Sequence, residues 1–152
     1  MDFDLSNLDG TQVDGASTAV FTFYDLPGEP WLRVRAGGEL NRPYFAALLA
    51  SQTKNRKRLM KGTINAEMLE RNRQIDRKLY PQHMDAGDMG GWRNRVDGVE
   101  MPLEYSPAAW AAVVQALPND LFDEVRSFCN EPSNFRSENE PDQDEIEETA
   151  GN

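Results

Sequence analysis

One cysteine and one histidine are all that 152 residues supply of the side chains that most often serve as nucleophile, general base or soft metal ligand. With Cys129 alone no internal disulfide can form, so nothing here calls for an oxidising compartment. No apolar run approaches the roughly 20 residues that a membrane-spanning helix needs. The opening MDFDLSNLDG has acids where a secretory signal would carry positive charge, so a cytosolic protein is expected. Phosphate-binding loops are missing too: GDMGG and RAGGEL both lack the required lysine and the helix that should follow it.

What is present suffices for one core. The chain is 39% hydrophobic, with three Trp, seven Phe and four Tyr, at a length typical of one domain. Its net charge of −10 is unevenly spread. Arg33 to Lys78 holds 12 of the 16 basic residues against four acids, whereas Glu131 to Asn152 holds eight acids against Arg136 alone. The overall acidity argues against a dedicated nucleic-acid binder, which is normally basic throughout.

The polar residues 1–16 read as a mobile arm, with Phe3, Leu5 and Leu8 as its apolar points. TAVFTFY and WLRVR, joined by DLPGEP, read as a β-hairpin with Leu32 and Val34 inward and Arg33 and Arg35 outward. Asn41 is positioned to cap a helix with Pro43 in its first turn, and Phe45, Leu48, Leu49 and Gln52 follow at helical spacing. A second helix starts near Thr63 or Asn65. Ile64, Met68, Ile75 and Leu79 mark its apolar side, Arg71, Arg73, Arg77 and Lys78 lie outside, and Pro81 ends it. GDMGGW is a glycine-rich connector, and the segment after it is extended with a tight turn at Asp97-Gly98. Ser106 and Pro107 open a short helix that stops before Pro118. Asn119 or Asp120 caps a last one, with Leu121, Phe122, Val125, Phe128 and Cys129 on its apolar face. Residues 136–152 have the composition of a disordered acidic tail, solubilising or masking the basic helix. The expected fold is α+β: a mainly helical single domain over 17–135 with an N-terminal β-hairpin, disordered termini and no internal repeat.

Candidate chemistry is thin. His83 with Asp85 and Asp88 is a weak metal set, and a solvent-facing histidine is the plainer reading. Cys129, among apolar residues, reads as a small buried hydrophobe. No catalytic residue, metal ligand or cofactor is assigned. KNRKRLMK, with Arg56, Lys57 and Arg58, offers phosphate-neutralising charge but no interleaved aromatics to stack on bases. It reads first as a solvated helix end, with contact to RNA or DNA and contact to an acidic protein as equal alternatives. Trp31, Arg33 and Arg35 on the hairpin suit an interface, where Trp and Arg are favoured. Trp92, Tyr105, Trp110, Phe122, Phe128 and Phe135 are the expected structural core.

The ordered combination Tyr80, His83, Gly91-Trp92, Val96-Asp97-Gly98, Tyr105-Ser106-Pro107, Leu117-Pro118, Phe122-Asp123 and Asn134-Phe135 resembles a signature of small tail-assembly proteins of tailed bacteriophages. The upstream WLRVRAGGELNRPYFAALL is similar to their hairpin and first helix, so the resemblance covers Thr18 to Phe135. An extra DMG ahead of Gly91-Trp92 departs from the pattern. The resemblance implies a non-enzymatic tail-assembly chaperone in the cytoplasm of the infected host. Such a protein binds the long tape-measure protein, recruits tail-tube subunits and leaves, and it can form homo-oligomers. The alternatives are a structural virion protein of the tail or head–tail connection, and a small nucleic-acid-binding or host-interfering phage protein.

Overall fold

β-Branched and aromatic residues on both sides of DLPGEP form the expected hairpin. β1 (Thr18–Thr22) and β2 (Trp31–Arg35) are antiparallel, with Thr18 opposite Arg35 and Thr22 opposite Trp31. The structure, a computed structural model, describes residues 13–54 and 66–138. Ile64, the start of the second helix and the disorder expected of the termini lie largely outside that range. Val13 already packs against the core, so the domain begins before residue 17.

The hairpin is not the whole sheet. The segment expected as a glycine-rich connector is a third strand, β3 (Asp85–Gly90), paired with β2, and β2 is therefore central. Leu32 faces Met89 and Val34 faces Asp85, so Ala86 to Asp88 bulge opposite Arg33. Gly87 holds φ at +86°, which a side chain would resist. The bulge leaves the Arg33 carbonyl off the ladder, and the indole N–H of Trp110 donates to it at 3.3 Å. At Gly90 a Cβ would lie 2.6 Å from Trp31 Nε1, so glycine is required by close approach.

α1 (Arg42–Lys54) starts where expected. Asn41 Oδ1 accepts from the Tyr44 N–H at 3.3 Å, while its amide donates to His83 O at 3.1 Å and ties α1 to the end of the next helix. The inward face of α1 is Tyr44 with Ala47 and Leu48, whereas Leu49, expected inside, is exposed. α2 (Ala66–His83) runs through Pro81 instead of stopping there. Proline removes the N–H that would bond the Arg77 carbonyl, and Gln115 Nε2 donates to that carbonyl at 2.7 Å in its place.

Arg77, expected outside, is only 7% exposed. Its guanidinium donates to Val114 O at 2.6 Å, Leu117 O at 2.8 Å and Asn119 Oδ1 at 3.0 Å, and stacks 4.7 Å over the Phe122 ring. These partners belong to the junction of α3 (Pro107–Ala116) and α4 (Asn119–Cys129). Ser106 caps α3 by accepting from Ala109 N at 2.9 Å, as its sequence context requires. The cap expected of Asn119 or Asp120 is not formed: the N-cap position of α4 is Pro118, which has no side-chain acceptor, and Asn119, the first helical residue, accepts from Arg77. A short α5 (Ser133–Glu138) follows, so helix extends past Phe135 into the segment expected to be tail.

A polar chain ties α1, α2 and α4. Tyr44 OH donates to Asp76 Oδ1 at 2.6 Å, and Arg126 Nε to Asp76 Oδ2 at 2.7 Å. Arg126 also reaches Asp123 at 3.0 Å, Arg73 holds Asp123 with two bonds at 3.0 and 2.8 Å, and Arg73 pairs with Glu70 as well. Asp76 is 4% exposed, and a buried carboxylate is tolerable only when so fully paired. Around this chain lie the buried Leu32, Val34, Tyr80, Met84, Trp110, Val114, Phe122 and Phe135.

Two predictions follow from these contacts. Gln115→Ala should cost about 1–2 kcal/mol by urea denaturation, since it strips a partner from a carbonyl that Pro81 has already orphaned. In a Pro81→Ala background, where residue 81 regains its N–H, the same change should cost clearly less; equal costs would refute the account. The Asp123 carboxyl is held below its ordinary value, first by the Arg73 hydrogen bonds and also by those of Arg126. A depressed acid contributes above its unfolded pKa and loses that contribution as pH falls through its folded one. The urea midpoint should therefore drop between about pH 5 and 2, and the drop should be shallower in Asp123→Asn.

Candidate partner-binding surfaces

β4 (Arg93–Val96) and β5 (Val99–Pro102) form a separate two-stranded ribbon. Asp97 and Gly98 turn it with φ of 51° and 80°, the paired positive values of a type I′ hairpin. A two-residue loop sets the register: Val96 faces Val99, Asn94 faces Met101, and Arg95 faces Glu100. Directly opposed residues share a face and neighbours alternate, so one face carries Val96, Val99 and Met101 with Asn94, while the other carries Arg93, Arg95 and Glu100 with Pro102. All three apolar residues are exposed, at 47%, 60% and 48%.

The apolar face does not end with the ribbon. Leu103 N–H donates to Trp92 O at 2.9 Å, adding one more opposed pair to the same side. Trp92 and Leu103 then line a groove of about 370 Å³ whose far wall is Ala112, Val113, Ala116 and Leu117 of the α3 region, closed by Leu26, Pro118 and Leu121. Ala112 and Ala116 are exposed, one turn apart, and let a backbone approach α3 closely. Arg93 is the charged residue of the lining, and its ion pair to Glu100 is long, 3.8 Å, between side chains about 60% exposed.

No family model, curated protein or solved structure matches this chain.

The residues singled out from sequence are distributed as follows. Trp31, Arg33 and Arg35 share one face of β2, but Trp31 is on the middle strand and not on a hairpin edge, because β3 pairs beyond it. Its carbonyl accepts from the Trp92 indole at 2.8 Å. Arg33 donates to Thr18 Oγ1 at 3.4 Å and Arg35 to Asp85 O at 3.3 Å, so both are tied to neighbouring strands. Arg56, Lys57 and Arg58 lie outside the described residues. Trp110, Phe122 and Phe135 are fully buried, whereas Trp92, Tyr105 and Phe128 are half-buried against the core. Tyr105 OH donates to Asp85 Oδ2 at 3.0 Å, and desolvation followed by that bond raises its pKa.

His83 is half-buried beside the Tyr44 ring, and desolvation lowers its pKa. Cys129 is sealed in the core, which pushes its thiol well above the ordinary range. Among the described residues no three His, Cys, Asp or Glu side chains converge to hold a metal, and no helix is long and apolar enough to cross a membrane. What the sequence reading passed over is the ribbon's apolar face. Its signal was present: a two-residue DG turn fixes the register of RNRV on VEMP, and the register sorts the faces.

Proposed function

We propose that this protein is a bacteriophage tail-assembly chaperone, a non-enzymatic binding protein that holds the tape-measure protein and recruits tail-tube subunits in the infected cell. The observation that carries this reading is the apolar strip that runs along β5 from Val99 and Met101, with Val96 opposite, to Leu103 and Trp92 and into the groove on α3. A contiguous exposed apolar surface of this kind marks an interaction site, and a groove floored by small helical residues suits a helix laid lengthwise. A tape-measure protein is long and helical, with apolar stripes that need cover before the tube forms around it. The ordered motifs from Tyr80 to Phe135 support the same assignment, because they build this ribbon, turn and helix pair.

Affinity capture of the tagged protein from infected cells, with mass spectrometry of the captured material, tests it. The expected catch is one long helical protein with tube subunits in lesser amount. The double change Val99→Asp and Met101→Asp alters only exposed positions and should leave the melting temperature nearly unchanged, yet reduce that catch by about tenfold or more. Charge reversal at Arg56, Lys57 and Arg58 should weaken capture as well. Recovery of connector or capsid proteins instead, or stable retention of this chain in purified particles, would replace the chaperone with a structural virion protein.

A further inference from the structure

Sheet edges turn unpaired N–H and C=O groups outward, and folded proteins either blunt such edges or use them. β1 is an outer strand of the three-stranded sheet. Phe23 N–H donates to Pro30 O at 2.8 Å and Ala36 N–H to Ser17 O at 3.0 Å, so the odd-numbered residues along β1 point their backbone groups at β2. Val20 and Thr22 point theirs away from it, and no backbone partner among the described residues meets them. Beside this edge runs a groove of about 350 Å³ between β1 and α4, walled by Phe21, Leu121 and Phe128. The charged side chains in its lining are Asp25 and Glu124, both exposed and both acidic. α5 also packs on β1 but contributes no residue to the groove.

We propose that β1 accepts an extended segment of a protein partner as an added strand, and that this segment carries lysine or arginine among alternating apolar residues. The main chain of Val20 and Thr22 supplies the hydrogen bonds. Every second side chain of the added strand enters the groove, as the period of two requires, and these are the basic ones. Their apolar stems lie against Phe21, Leu121 and Phe128 and their charges reach Asp25 and Glu124, while the alternating apolar residues lie on the other face of the sheet beside Val20 and Trp31. Asp25 and Glu124 select for positive charge. The acidic stretches at either end of this chain, MDFDLSNLDG and SENEPDQDEIEE, have the wrong sign for that lining, which points to a different protein. The groove shares only Leu121 with the one beside the ribbon, and the inference stands apart from the tail-assembly reading.

The test uses the full chain, 15N-labelled, with the peptide acetyl-Thr-Val-Lys-Val-Arg-Val-Lys-Thr-amide, a twin with glutamate at each basic position, and a version N-methylated at alternate residues. The basic peptide should slow hydrogen exchange at the Val20 and Thr22 amides. The glutamate twin should bind roughly tenfold more weakly, and the N-methylated version should give no protection because it cannot complete a ladder. Glu124→Lys, a change at an exposed residue, should narrow or reverse the preference between the first two peptides. Absence of protection, equal binding of the glutamate twin, or undiminished binding of the N-methylated peptide would overturn the proposal. So would concentration-dependent protection without any peptide, which would assign the edge to a second copy of this chain.

Discussion

The buried guanidinium of Arg77 is the contact on which the arrangement of the helices depends. Its planar fork gathers two carbonyls from the end of α3 and the Asn119 side chain at the start of α4, while its face covers Phe122. The last carbonyls of a helix lack partners within the helix and carry the negative end of its dipole. A fixed cation with several donors satisfies both needs at once, and arginine's rigid geometry suits the task better than lysine's. The contact is reciprocal, because Gln115 of α3 reaches back to the Arg77 carbonyl that Pro81 leaves unpaired. The α3–α4 corner is thus locked to α2 from both directions.

Both candidate surfaces inherit that lock. The ribbon groove has α3 as its far wall, and the β1 groove has α4, so each takes its width from where the corner sits. The opposite walls come from the sheet and from an aromatic chain. Trp92 stands edge-on to Phe23 at 5.3 Å, Phe23 to Phe21 at 4.7 Å, and Phe21 to Phe128 at 5.2 Å. Edge-to-face contacts of this kind have preferred geometry as well as buried area. They connect the root of the ribbon, through the hairpin, to α4. Rigid walls with exposed apolar or unpaired backbone surface are what a binding protein needs, since little ordering remains to be done when the partner arrives.

Much of the local structure was legible because it rests on chemistry within a few residues. Ser106-Pro107 starts α3, Asn41 caps α1, Asp97-Gly98 turns the ribbon, and alternation in WLRVR sends Leu32 and Val34 inward. Each of these needs only a side chain and its near neighbours. The failures share the opposite property. GDMG looks like a linker by composition, yet it is a strand, because β2 presents a free edge, the bulge absorbs Gly87 and Gly90 makes room for Trp31. Arg77 looks like surface, yet it is interior, because partners about forty residues away accept three hydrogen bonds from it and Phe122 covers its face. Pro81 looks like a stop, yet the helix continues, because Gln115 replaces the missing bond.

The sequence by itself determined the β1–β2 hairpin, the four longer helices and the Asp97-Gly98 turn, where most of them begin, that one core forms, and that Leu32 and Val34 face inward. Periodicity and capping are local, and composition is additive, so neither needs a fold to act. The tertiary structure alone decided which strand lies in the middle of the sheet, which charged residues go inside, and which apolar residues stay outside as a continuous strip. Those outcomes depend on pairings between residues far apart in the chain, and a pairing is favourable only once both partners have been brought to the same place.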